Sequence, residues 1–179
     1  MPFEVRQQLM SDDELGQTLD RVASDIHEAS PGRRLILLGI ERRGAPLAER
    51  LARLLATLGH DVAVGKLDIN LYRDDLTMVA AQPIVRRTEL PVDIDGQDVI
   101  LVDDVLYTGR TVRAAMEALN DYGRIRSLRL VVLIDRGNRE LPIEANFVGR
   151  TIDVRADEIV EVRVREVDGH DDVRILVKP

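Results

Sequence analysis

The stretch that most constrains the fold is Val99-Ile100-Leu101-Val102-Asp103-Asp104-Val105-Leu106-Tyr107-Thr108-Gly109-Arg110-Thr111. Its first four residues are apolar and mostly β-branched, the pattern of a strand buried on both faces. The run stops at two adjacent carboxylates, and a Thr-Gly-Arg-Thr loop follows. Val112, Ala115, Met116 and Leu119 then fall on one face of a helix, read as core. The chain therefore leaves a buried strand, sets two acids at its carboxyl end, and turns through a small polar loop into a helix start. In an open α/β sheet ligands bind at that place, and the free N–H groups of a helix start favour a phosphate.

The flanking sequence repeats this grammar. Ser11-Asp12-Asp13-Glu14 is a capping box, followed by a helical face of Leu15, Leu19, Val22 and Ile26 that ends at Pro31-Gly32. Leu35–Ile40 reads as a second central strand running into Glu41-Arg42-Arg43-Gly44. Pro46 opens a helix closed by Gly59, and Val62–Ile69 reads as a third strand. Periodicity is lost between residues 70 and 90, a length that suits either a functional lid or a disordered, flexible loop. Leu128–Ile134 forms another strand, ending in Asp135-Arg136-Gly137-Asn138-Arg139. Beyond Pro142 the period changes to two: Val160, Val162 and Val164, then Val173, Ile175 and Val177, predict an antiparallel hairpin able to cover the strand ends. The expected fold is α/β, a mostly parallel sheet flanked by helices. With no internal repeat or linker, residues 1–179 read as a single domain.

Composition narrows the function classes. The 179 residues contain no Cys, which excludes disulfides and thiolate metal sites. No segment has the length or apolarity of a leader or a membrane span, so a cytoplasmic protein without a membrane partner is expected. A formal net charge of −7 opposes whole-surface attraction to nucleic acid, and the absence of Trp opposes a base-stacking platform. His27, His60 and His170 lack metal-ligand spacing and read as surface residues.

Three strand ends carry polar clusters, and a parallel sheet brings all three to one edge. Asp103 and Asp104 would accept hydrogen bonds from ribose hydroxyls or hold a hydrated Mg²⁺. The Thr108 and Thr111 hydroxyls, with the N–H groups around Gly109, would take one phosphate. Arg42 and Arg43 would take a second, pyrophosphate-like group. No Walker A loop is present. The acid pair also suits a response-regulator receiver, but it sits mid-chain here and that fold has no use for the Thr-Gly-Arg-Thr loop.

Residues 99–111 resemble the phosphoribosyl-pyrophosphate (PRPP) signature of type I phosphoribosyltransferases. Leu38–Gly44, Leu67–Leu76, Val102–Thr111 and Asp135–Pro142 together resemble the bifunctional pyrimidine operon attenuator and uracil phosphoribosyltransferase family over nearly the whole chain. That resemblance implies transfer of the phosphoribosyl group from PRPP to uracil, giving UMP and pyrophosphate, with Mg²⁺ carried by PRPP and met by Asp103 and Asp104. It makes Asp103, Asp104 and Arg73 the catalytic candidates. Residues Val105, Leu106, Tyr107, Thr108, Gly109, Arg110 and Thr111 would hold the 5′-phosphate. Arg42 and Arg43 would lie in the pyrophosphate loop, which in this family often holds a non-proline cis peptide. Arg136 and Val160 would help bind substrate from the hood, and the 70–90 segment would close over the reacting centre. The resemblance also implies homodimers or higher homo-oligomers, and uridine-nucleotide-dependent binding of the pyr operon mRNA leader, with Arg21, Arg139 and Arg150 as contacts. Here the chain departs from the family pattern: Asn138 and Glu144 stand in the hood, Thr151-Ile152-Asp153-Val154-Arg155 follows Gly149-Arg150, and Asp20 and Ser24 stand in the first helix. An RNA-binding regulator with little catalysis, and a transferase for another base, remain the alternatives.

Overall fold

The computed structural model describes residues 2–72 and 88–179. Its centre is a parallel five-stranded sheet in the order β3-β2-β4-β5-β6. The strands are β2 (Leu35–Ile40), β3 (Val62–Leu67), β4 (Asp98–Leu106), β5 (Ser127–Asp135) and β6 (Phe147–Thr151). Between them run α2 (Gly44–Thr57) and α3 (Arg110–Asn120), with α1 (Asp12–Ala29) ahead of β2. Side chains of the inner strands alternate between two hydrophobic layers, as the pleat dictates. Leu35, Leu37, Ile100 and Val102 meet the α1 and α2 residues Leu15, Leu19, Leu47 and Leu51. Ile36, Leu38, Val99 and Leu101 meet the α3 residues Val112, Ala115, Ala118 and Leu119 on the other face. Burial on both faces is why β2 reads as apolar throughout.

A second, antiparallel sheet has the order β1-β8-β7, from β1 (Glu4–Met10), β7 (Ile159–Arg163) and β8 (Asp172–Val177). Val160 pairs with Ile175 and Val162 with Val173, so the alternating hairpin forms as the period of two predicts. A short helix, α4 (Arg165–Asp168), interrupts its turn. The inward residues Val160, Val162, Val173 and Ile175 join the core layer beneath α1 and α2. No helix among the described residues is long and apolar enough to cross a membrane.

The structure corrects several sequence expectations. Strand β4 does not stop at the acids but runs through Asp103 and Asp104 to Leu106. Its pairing with β2 ends at Gly39–Val102, while its pairing with β5 continues to Leu106–Asp135. The acids thus occupy a strand that has lost one neighbour and kept the other. Helix α2 begins at Gly44, two residues before Pro46. Met116 is 44% exposed rather than core; it lines a cavity of about 650 Å³ beside Leu141, Pro142 and Ile143. Strands β1 and β6 were not expected. β1 is almost wholly exposed and polar-rich, and β6 carries Gly149 in its middle, so neither has a strand's usual composition.

Candidate active site

The basic turn is built by glycines. A Cβ on Gly39 would lie 2.4 Å from Ala45 Cα, and one on Gly44 would lie 2.4 Å from the carbonyl oxygen of Val102. The turn after β2 therefore folds back on its own strand and presses against β4 just where the acids begin. The Glu41–Arg42 peptide is cis, as the family resemblance implies. Arg42 is exposed. Arg43 forms a two-pronged ion pair with Asp168 of α4, at 3.1 Å from Nε and 2.8 Å from Nη2. The Asp168 hydrogen bonds raise the Arg43 pKa against the opposing effect of burial, and Asp104 and Glu161 lie close enough to add to the rise.

Asp103 is buried, and its Oδ1 accepts the Asp104 N–H at 2.9 Å; Asp104 is half-buried, and its Oδ1 accepts the Val105 N–H at 2.8 Å. Each carboxylate is thus fixed by the next peptide group. Beyond them Leu106 is sealed in the core, leaving only its backbone for a ligand, whereas Tyr107 is exposed. Gly109 caps α3 with φ +94°, a left-handed conformation that glycine alone adopts without strain. The Thr108 hydroxyl accepts the Arg110 N–H at 3.2 Å, which leaves its own proton to donate. Thr111 and Arg110 are half-buried at the helix start, and Arg110 Nε pairs with Glu140 at 2.7 Å.

The segment after β5 braces this loop. Thr108 C=O accepts the N–H groups of Glu140 and Leu141 at 2.9 and 3.0 Å. Arg139 donates to Asp135 at 2.6 Å, to Ile143 C=O at 2.8 Å and to Tyr107 C=O at 3.0 Å. Burial raises the Asp135 pKa, but the Arg139 and Gly137 hydrogen bonds outweigh it and hold the carboxyl below its ordinary value. Arg136 is 4% exposed; it donates to the carbonyls of Glu158 and Arg155 and stacks 3.9 Å from the centroid of the Tyr107 ring. One arginine thus joins the loop, the end of β5 and the segment entering β7.

The structure brings together Arg42, Arg43, Asp103, Asp104, residues 105–111 and Arg136 around one sheet edge. Val160 is 9% exposed and belongs to the core layer. Arg73 lies outside the described residues, with most of the 70–90 segment. On its flanks, Lys66 Nζ lies 3.5 Å from Glu41 and 3.6 Å from Glu89, and Thr88 accepts the Asp68 N–H at 2.9 Å.

Of the expected RNA contacts, Arg139 is spent within the brace. Arg21 bonds Asp25 and the carbonyls of Val148 and Gly149, and Arg150 bonds the Leu9 carbonyl and lies 3.9 Å from Glu14. Asp20, Ser24 and Glu144 are exposed. His27 is exposed and His60 half-buried, and the two are adjacent, with Nδ1 and Nε2 2.7 Å apart. The contact that sequence reasoning missed is Asp168; its only signal was the Asp168-Gly169 turn within the hairpin.

A parallel sheet with two acids, a braced phosphate-sized loop and a basic cis turn at one edge defines the type I phosphoribosyltransferase fold. A family described as "Phosphoribosyl transferase domain" matches residues 7–166. The chain is 53% identical over 171 residues to "Bifunctional protein PyrR" of Chloroflexus aurantiacus, covering 94% of each chain. It is 52% identical over 173 residues to the protein of the same name from Thermus aquaticus, covering 96% of each. Among solved structures it is similar in fold to a hypoxanthine phosphoribosyltransferase of Trypanosoma cruzi, with TM-score 0.74, 20% identity, and 98% and 96% of the two chains covered. A hypoxanthine-guanine phosphoribosyltransferase of Bacillus anthracis gives TM-score 0.73 at 18% identity, covering 99% and 100%. The chain belongs to the phosphoribosyltransferase family and, within it, to the bifunctional PyrR proteins.

Proposed function

We propose that this protein, acting as one domain, transfers the phosphoribosyl group of PRPP to uracil, releasing pyrophosphate and forming UMP. The observation that carries this reading is the contact of Gly44 with Val102, which sets the basic turn directly beside the two acids. A ligand with a pyrophosphate at one end, a polyol in the middle and a phosphate at the other fits that order of groups. Asp103 and Asp104 hold the ribose hydroxyls, residues 105–111 the 5′-phosphate, and Arg42 and Arg43 the pyrophosphate. As the C1–O bond loosens, positive charge grows on the sugar and negative charge on the leaving group. Fixed carboxylates and guanidinium groups stabilise both without reorganising. Arg136 serves from behind, holding the Tyr107 ring and with it the loop. Arg73 is the remaining catalytic candidate, and water must be kept from competing for PRPP.

Among the described residues no three His, Asp or Glu side chains converge to hold a metal ion alone. The donor set, two adjacent carboxylates at a strand end, fits Mg²⁺ that arrives on PRPP and keeps most of its ligands on substrate oxygens and water. Bound there, the ion would neutralise charge on the departing pyrophosphate.

The second role we propose is control of pyrimidine biosynthesis genes through uridine-nucleotide-dependent binding of the pyr mRNA leader by a homo-oligomer in the cytoplasm. The identity to proteins named bifunctional supports it. Arg21 and Arg150, which tie the exposed face of α1 to β6 and β1, are the contacts it would use. A panel of nucleobases with labelled PRPP tests the first role: uracil should be consumed, whereas preference for a purine or orotate would overturn it. Gel-shift titration of the leader with and without UMP tests the second. Leader binding without uracil turnover would favour a regulator over an enzyme.

A further inference from the structure

We infer that Asp168 is a positioning residue for the pyrophosphate end of PRPP, fixing the Arg43 guanidinium from the opposite sheet. This rests on the reading of the Arg42-Arg43 turn as the pyrophosphate loop. Asp168 lies 125 positions from Arg43, at the end of α4 in the turn of the small sheet. Its carboxylate is itself held: Oδ2 accepts the Val164 N–H at 2.9 Å as well as Arg43 Nε, while Oδ1 accepts Arg43 Nη2.

A guanidinium has five N–H groups in a rigid planar fork. Asp168 takes two of them along one edge, and the other three remain for a second anion. Bidentate pairing fixes the plane as well as the position, which a single contact would not do. An arginine pinned in this way reaches a diphosphate without first losing rotamer freedom.

The platform under Asp168 is anchored separately. Arg50, on α2, forks to Glu166 at 2.9 and 2.6 Å and to Asp171 at 2.9 and 2.8 Å. These acids flank Asp168 in sequence, and Arg50 sits two turns along the helix whose first residue follows Arg43. The turn of the small sheet is therefore bolted to α2 at Arg50, and Asp168 reaches back over the helix start to hold Arg43. The basic turn is set from two sides: by Gly44 against β4, and by Asp168 from the small sheet.

Asp168→Asn keeps the shape and one acceptor but loses the charge and the fork. With purified full-length protein and saturating uracil, we expect the PRPP KM and the inhibition constant of pyrophosphate to rise together by about tenfold, the size of one charge-assisted hydrogen bond. The KM for uracil and kcat should stay within twofold. Arg43→Lys should raise the same two constants and lower kcat as well, because its guanidinium meets the leaving pyrophosphate, and the double variant should bind PRPP no worse than Arg43→Lys alone, because Asp168 acts through Arg43. Asp168→Glu should recover part of the affinity. Unchanged or tighter PRPP binding in a folded Asp168→Asn protein would overturn the proposal, the latter by showing that Asp168 competes with the diphosphate. If Asp168→Asn does not fold, additive losses of PRPP affinity in Asp168→Glu and Arg43→Lys would overturn it instead. Arg43→Ala separates the two readings: unchanged PRPP affinity there would defeat the pyrophosphate-loop reading itself.

Discussion

The Cα of Gly44 faces the carbonyl of Val102 so closely that any Cβ would come within 2.4 Å of its oxygen and 3.3 Å of Asp103 Cα. Both neighbours are backbone of the central sheet, so neither yields. Gly44→Ala should push the basic turn away from β4 at a cost of about 1–3 kcal/mol in stability, the range for overpacking a filled space. Because that turn and the acids must address one ligand, the PRPP KM should rise more than the uracil KM. Steady-state kinetics beside thermal melts check this, and an alanine variant with wild-type PRPP affinity would contradict it.

Asp104 carries its charge at the point where β4 has lost its β2 neighbour. Asp104→Asn preserves shape and the acceptor for the Val105 N–H. Turnover should fall by roughly ten- to a hundredfold, the worth of a charged hydrogen bond, with the melting temperature little changed. Full activity in this variant would remove the acids from the mechanism.

Arg139 distinguishes a structural brace from a nucleic-acid contact. It bonds Asp135, Ile143 C=O and Tyr107 C=O, so Arg139→Met would leave these acceptors unpaired in a half-buried place. A loss of about 2–4 kcal/mol is expected, with a raised PRPP KM, because the loop it braces loosens. Denaturant titration measures the first and kinetics the second. A variant that lost leader binding alone would assign Arg139 to RNA instead.

Acid should unfold the protein through its arginine-paired carboxylates. The Arg43 hydrogen bonds hold Asp168 below its ordinary pKa, as those of Arg163 do for Asp172 and those of Arg50 for Glu166. Burial pushes Asp171 up, but the Arg50 and Arg165 bonds outweigh it. A depressed folded pKa means that the unfolded chain takes up protons first. These groups therefore stabilise the fold fully above the ordinary carboxylate range near pH 4 and progressively less as pH falls below it toward the folded values. Urea midpoints followed from pH 6 down to pH 3 should drop most steeply below about pH 4.5. Asp171→Asn should flatten that slope.

The capping box offers a control remote from catalysis. The Ser11 hydroxyl accepts the Glu14 N–H at 3.2 Å, and the Glu14 carboxylate accepts the Ser11 N–H at 3.4 Å. Ser11→Ala should cost about 1 kcal/mol of stability. PRPP and uracil kinetics should not change.

The sheet was legible because β2 and the Val99–Val102 stretch of β4 are buried on both faces and so apolar without interruption. The site was legible for a related reason: Asp103 and Asp104 interrupt the apolar run of β4, and the Arg42-Arg43 turn follows the end of β2. What lay hidden depends on contacts across long sequence separations. Asp168 reads as an ordinary turn residue until the small sheet is placed over α2, and nothing local announces its meeting with Arg43. β1 was illegible because an exposed edge strand needs no apolar alternation. Met116 fits the α3 spacing perfectly well, yet the side of the helix it occupies faces a cavity instead of the core.

β1 pairs with β8, Glu4 opposite Val177, with register shifts on either side of Gln7 and Gln8. Among the described strands β1 comes first in the chain and its partner β8 last, so the parallel sheet and its helices can be complete while β1 still hangs unpaired. Closing that gap joins ends some 170 residues apart, and loop-closure entropy makes such pairing late as well as slow. The order of synthesis thus separates the two halves of the site in time. The acids and the loop after them lie in the part of the chain made earlier, and the Asp168 side, which holds Arg43, is added after them.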